Sequence, residues 1–154
     1  MQFQNVIQKC NCLASELDTL YHQAAKKLKV SDTVLIVAYM IYEKKEGCLL
    51  CDICADSSIS KQTINSALRK LENENILYLK QDKGKTKRIY LTEKGKKFVE
   101  ETALCLMQAE CRVFQDWTEE EIFQYLRLMK KYNDAFKLEV EKMERKQDDE
   151  NHNN

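Results

Sequence analysis

The stretch LCDICADSSISKQTINSALRKLENENILYLKQDKGKTKRIYLTEKG, residues 50–95, decides the fold. It opens on a compact helical turn through Ile53, Cys54 and Ala55, which Asp56, Ser57 and Ser58 interrupt. Ser60 then offers an N-cap side chain for a new helix. Along that helix Ile64, Ala67, Leu68 and Leu71 recur at helical spacing on one face, while Lys61, Gln62, Thr63, Asn65, Ser66, Arg69 and Lys70 form the other. Ile76 to Lys80 and Lys87 to Leu91 are rich in β-favouring residues, and between them lies a polar turn, Gln81 to Thr86, with Gly84 at its centre.

Two short helices joined by a tight turn and followed by a hairpin is the order of a winged helix-turn-helix, whose second helix enters the major groove of DNA. A reading helix needs short polar side chains for close approach to base edges and a few long ones for reach. Gln62, Thr63, Asn65 and Ser66 meet the first need, and Lys61, Arg69 and Lys70 the second. With the cap Ser60 they form the candidate recognition set. The candidate wing set is Lys83, Gly84, Lys85, Thr86, Lys87 and Arg88, cationic as a phosphate or minor-groove contact requires.

The chain is neutral overall, with 25 basic and 25 acidic residues, but the charges are not evenly spread. Ser60 to Lys97 holds eleven basic side chains against four acidic ones, an excess of seven that the remainder of the chain cancels. One concentrated basic face on a neutral protein is the electrostatic pattern of a nucleic-acid binder.

Outward from this core the reading is helical, because the 154 residues include no proline and only three glycines. Val6, Cys10, Leu13, Leu17, Leu20 and Ala24 make a seam along a first helix, about Phe3 to Leu28. Ser31 caps a buried second helix, with Val34 to Tyr42 apolar, Tyr39 and Tyr42 in the core, and a stop near Gly47. Cys48 to Leu50 reads as a small strand before the short third helix. Thr92 caps a fifth helix to about Cys111, and Thr118 with Glu121 forms a capping box for a sixth, with Trp117 and Ile122 placed as a hydrophobic staple.

The sixth helix carries Ile122, Leu126, Met129, Asn133, Phe136, Val140 and Met143 as a heptad seam that needs a partner helix. Asn133 either fixes register within that seam or faces solvent. The expected organisation is an N-terminal dimerisation helix (1–30), a winged helix-turn-helix domain (31–95), C-terminal dimerisation helices (96–146) and a disordered tail (147–154), mainly α with one small β-hairpin.

Seven cysteines, an odd number, suit reduced thiols in a cytosol, most of them small buried hydrophobes. Cys48, Cys51 and Cys54 recur every third residue, yet the spacing crosses a strand-to-helix boundary without a fourth ligand, so a metal site is disfavoured. Cys12, off the first helix's seam, is the candidate redox thiol, with Tyr21 and His22 further along the helix as candidate polar neighbours. No apolar run is long enough to cross a bilayer, which with the missing leader pattern points to the cytoplasm. Paired carboxylates, a nucleophile elbow and a phosphate-binding glycine loop are missing from the sequence, so neither an enzyme nor a cofactor is expected.

The residues from Leu50 through Ser60-Lys-Gln-Thr-Ile-Asn-Ser-Ala-Leu-Arg-Lys-Leu-Glu, then Ile76-Leu and the closing Ile89-Tyr-Leu-Thr-Glu-Lys-Gly, resemble the core of the MarR family of bacterial transcription regulators. The wing departs from the family's Asp-Arg-Arg-like element, reading Lys83, Gly84 and Lys85, and Asn75 stands where the family has glycine before the wing. The resemblance implies a homodimer held by the first, fifth and sixth helices, reading a pseudo-palindromic operator in double-stranded DNA. It also implies a repressor released by a small-molecule effector. Two alternatives are a thiol-based redox sensor and a winged helix used for protein contact without DNA.

Overall fold

The structure is a computed structural model that describes residues 3–57, 59–84 and 86–151, with side chains described as far as residue 143. The chain divides into two compact units, Met1–Ala109 and Glu110–Asn154. The first contains α1 (Phe3–Lys27), α2 (Asp32–Lys44), α3 (Leu50–Asp56), α4 (Lys61–Asn73), β1 (Leu77–Gln81), β2 (Lys87–Leu91), α5 (Glu93–Val99) and a π-helical turn (Glu100–Leu104). The boundary falls inside α6 (Cys105–Val113), and α7 (Glu119–Asn151) belongs to the second unit.

The core of the first unit is built where apolar faces meet. Val34, Val37 and Ile41 of α2, Ile53 of α3, and Ile64, Ala67, Leu68 and Leu71 of α4 close around Ile76, Leu77 and Ile89 of the hairpin. Val37, Ile53, Ile64 and Ile89 have no exposed surface, each worth roughly 1.5–3 kcal/mol of burial. The strands pair antiparallel from Leu77 opposite Leu91 to Gln81 opposite Lys87, so Leu77, Leu79, Ile89 and Leu91 share the face toward the core.

Chain reversals follow local chemistry. Ser31 caps α2, its hydroxyl accepting from the Val34 amide. At the end of α4 the Ile76 amide donates to the Leu71 carbonyl (2.9 Å) and the Asn75 amide to the Glu72 carbonyl (3.0 Å), a Schellman pair with Asn75 left-handed at φ +57. Ile76 and Leu71 both lie in the core, which aims the chain into β1.

Four expectations are corrected. The stop of α2 is Lys45, at φ +67, rather than Gly47, which at φ +81 shapes the loop beyond. The small strand is a single bridge, Leu49 to Arg88, because Leu50 already belongs to α3. The fifth helix is broken by the π-helical turn, where the Thr102 hydroxyl donates to the Phe98 carbonyl (2.6 Å), so the expected sixth helix is α7. Tyr42, expected in the core, lies at the surface, since α2 buries only the Val34, Leu35, Val37, Ala38 and Ile41 stripe.

In the second unit the capping box forms as the spacing required. The Glu121 carboxylate accepts from the Thr118 amide (2.8 Å), and the Thr118 hydroxyl accepts from the Glu121 amide (3.2 Å). The Thr118 amide and hydroxyl hold the Glu121 carboxyl below its ordinary value. That contribution is therefore present above the usual carboxylate range and is lost as pH falls through the lowered value. Trp117 meets Phe114 and Tyr125 edge-on, with ring centroids 5.1 and 5.4 Å away, so its packing is chiefly aromatic. The α7 backbone stays helical through residues 147–151 (Gln, Asp, Asp, Glu and Asn), where a tail was expected; these residues continue a helix already formed upstream, so they bear no nucleation cost. His152, Asn153 and Asn154 lie outside the described residues.

Candidate nucleic-acid interface

The inner face of α4 is locked into the core, and this fixes its outer face. Lys61, Gln62, Thr63, Ser66, Arg69 and Lys70 are exposed and Asn65 half-buried, in the order the periodicity requires. The Ser60 hydroxyl accepts from the Thr63 amide (3.2 Å) and lies 2.8 Å from the Thr63 hydroxyl. Ser66 donates to the Gln62 carbonyl (3.1 Å). Those three hydroxyls therefore shape the start of the helix, which leaves the Gln62 and Asn65 amides and the three cations with the longest reach. No ion pair among the described residues engages Lys61, Arg69 or Lys70.

The hairpin stands beside this helix. Its turn is closed by the Asp82 amide donating to the Thr86 carbonyl (2.8 Å) and by the Gln81 side-chain amide donating to the Gly84 carbonyl. Gly84 is left-handed at φ +66, which a glycine adopts without cost. Lys83 and Lys87 are exposed and Thr86 is half-buried, while Lys85 lies outside the described residues. Arg88 differs from the rest of the wing set. Its Nε donates to the Asp82 carboxylate (2.9 Å) and its Nη1 to the Gly47 carbonyl (2.8 Å).

The sequence reading missed what occupies the hairpin's outer face. Tyr78 and Tyr90 stack with centroids 5.6 Å apart, and the Lys80 ammonium sits 4.9 Å from the Tyr90 ring centre and 5.5 Å from that of Tyr78. The signal was present, because residues 78 and 80 lie on one side of a strand and register places Tyr90 opposite Tyr78.

The Leu-Thr-x-x-Gly element closes the hairpin onto α5. The Thr92 hydroxyl donates to the Asn75 carbonyl (2.6 Å) and accepts from the Gly95 amide (3.0 Å), while Lys94 donates to the Glu74 carbonyl (2.7 Å). Gly95 is needed for close approach, since a Cβ there would stand 1.8 Å from the Ile76 carbonyl oxygen.

Compared by sequence alone, the chain matches no family model and no curated protein. Solved structures do match. MepR of S. aureus, solved as a DNA complex, superposes with TM-score 0.66 at 20% identity over 84% of this chain and 96% of its own. A MarR/EmrR family transcriptional regulator from Acinetobacter sp. ADP1 gives 0.67 at 21% identity over 88% and 96%. Staphylococcus aureus MarR in complex with salicylate and kanamycin gives 0.66 at 14% identity over 86% and 91%. The chain has the MarR-type winged-helix fold.

Within this MarR-type fold the cysteines are less buried than expected. Only Cys48 is buried and Cys54 is half-buried; Cys10, Cys12, Cys51, Cys105 and Cys111 are exposed. Burial pushes the Cys48 thiol up, which favours the neutral form, whereas Cys51 faces solvent beside the Asp52 carboxylate. Cys12 sits in a shallow groove of α1 with Gln4, Ile7, Gln8, Asn11 and Ser15. Tyr21 and His22 are not its neighbours: ten helical residues separate Cys12 from His22 by about 15 Å, and His22 Nδ1 instead meets the Asp32 carboxylate at 2.8 Å.

Proposed function

We propose that the protein is a homodimeric, sequence-specific DNA-binding transcription regulator. The observation that carries this is the two-sided construction of α4, with Ile64, Ala67, Leu68 and Leu71 held in the core and uncommitted cations with amide side chains on the other side. In this reading Gln62 and Asn65 contact adenine edges, Arg69 a guanine edge or phosphate, and Lys61, Lys70, Lys83, Lys85 and Lys87 the backbone. The protein works in the cytoplasm without catalysis or cofactor. Among the described residues no helix is long and apolar enough to cross a membrane.

Dimerisation is supported by the apolar seams. Leu13, Leu17 and Leu20 of α1 and Leu126, Met129 and Phe136 of α7 are exposed in the single chain, with Leu126 at 60%. The finer role is that of a repressor at a pseudo-palindromic operator, released by a small molecule. Two proteins of this fold support the reading: MepR of S. aureus is solved as a DNA complex, and Staphylococcus aureus MarR in complex with salicylate and kanamycin.

The test is binding to DNA from upstream of the protein's own gene, with affinity measured against salt. Arg69→Ala is expected to weaken binding by about 1–3 kcal/mol without lowering the unfolding midpoint, because the side chain is exposed. Lys70→Ala should weaken all sequences alike and reduce the salt slope by about one. Wild-type binding that is indifferent to both substitutions and to salt would favour a winged helix used for protein contact.

A further inference from the structure

Arg88 lies on a wing strand, paired with Lys80 on the outer face of the hairpin. A cation there reads first as one more phosphate contact, but the guanidinium is committed elsewhere. It spans two elements, Asp82 at the base of the wing turn and the Gly47 carbonyl in the loop between α2 and α3, 41 residues away in the chain. The same loop meets β2 through its backbone, with the Gly47 amide donating to the Ile89 carbonyl (2.9 Å) and the Ile89 amide to the Cys48 carbonyl (3.0 Å). Gly47 also lies against the Tyr90 ring, 3.5 Å from where a Cβ would stand.

Residues 47–49 thus act as a third strand one bridge long, too short to hold register by pairing alone. The planar fork of Arg88 supplies the missing constraint, since it donates to a carboxylate and a carbonyl at once from a fixed geometry. Lysine, a single point charge on a flexible stem, cannot reproduce that pair of directions.

We infer that Arg88 and Asp82 form an anchor that sets the angle of the wing against the α2–α3 loop, so that Arg88 is a positioning residue and not a phosphate contact. This rests on the proposal that the wing meets DNA. Asp82 then has a role opposite to the one its charge suggests. As a bare carboxylate beside DNA it would repel phosphate, and its removal would tighten binding. As the anchor's acceptor it holds Lys83, Lys87 and their neighbours in place, and its removal loosens them.

The experiment uses the full-length chain and two readouts. In amide hydrogen exchange, Arg88→Lys and Asp82→Ala are each expected to speed exchange at Gly47 and Ile89 roughly tenfold relative to wild type, while amides of α4 stay unchanged. In operator titrations both variants are expected to bind roughly tenfold more weakly, and Asp82→Ala in an Arg88→Ala background is expected to cause no further loss.

Wild-type affinity in Arg88→Lys, or tighter binding by Asp82→Ala, would overturn the inference and make Arg88 a simple charge. Unchanged exchange at Gly47 and Ile89 would overturn it without any DNA in the experiment. Failure of the wild-type protein to bind DNA would instead strike the proposed function, with the exchange readout still deciding whether the anchor exists.

Discussion

Gly95→Ala is expected to destabilise the protein by about 3 kcal/mol, lowering its unfolding midpoint by roughly 10 °C. The added methyl would lie 1.8 Å from the Ile76 carbonyl oxygen, a backbone atom. That carbonyl cannot move freely, because it accepts from the Thr92 amide (3.1 Å), at the point where the hairpin closes onto α5. Relief requires α5 to move away from β1, which also pulls the Thr92 cap from the Asn75 carbonyl. The control is Gly84→Ala, with open space around its Cβ, where only the left-handed backbone costs, about 1–2 kcal/mol. Thermal unfolding of both variants compares the two. Equal, small losses would show that α5 adapts and that the glycine of the Leu-Thr-x-x-Gly element is not there for close packing.

Leu126→Glu should leave a folded chain that no longer dimerises. Its side chain is 60% exposed and sits in a row with Met129 and Phe136, so the substitution removes no core contact of the single chain. In a dimer the same position would bury a carboxylate without a partner, at a cost of several kcal/mol. Loss of the second half-site is expected to reduce operator affinity by on the order of 100-fold or more, since joint binding of linked sites supplies that factor without any new contact. Sedimentation velocity and operator titration on one preparation would decide it. A variant that remains dimeric would place the interface elsewhere than this α7 seam.

Much of the architecture was legible because its signals are local. Ser31, Ser60, Thr92 and the Thr118–Glu121 box announce helix starts through a hydroxyl or carboxylate that reaches only three residues, and each makes that contact. The spacing of Ile64, Ala67, Leu68 and Leu71 gave both faces of α4, hence the candidate recognition set. What was illegible depends on distant partners. Nothing near Lys45 says that α2 ends on a lysine at positive φ, two residues before Gly47, which is also at positive φ and is held in the loop by β2 and the Tyr90 ring. Arg88 reads as a free wing cation until Gly47, far away in sequence, is seen to accept from it. The exposed thiols were misjudged for a related reason: composition reports that cysteine tends to be buried, not which helix face a given cysteine occupies.

In the proposed dimer one α4 and one wing are presented twice, at a spacing matched to the DNA duplex. Hydroxyl-radical footprinting of the wild-type protein on its own upstream DNA tests this directly. Two dyad-related protected regions are expected, with centres about 10–10.5 base pairs or a multiple of that apart, and with protection in both lost together in Arg69→Ala. A single protected region at saturation, or symmetric protection that persists unchanged when Arg69 is removed, would contradict it.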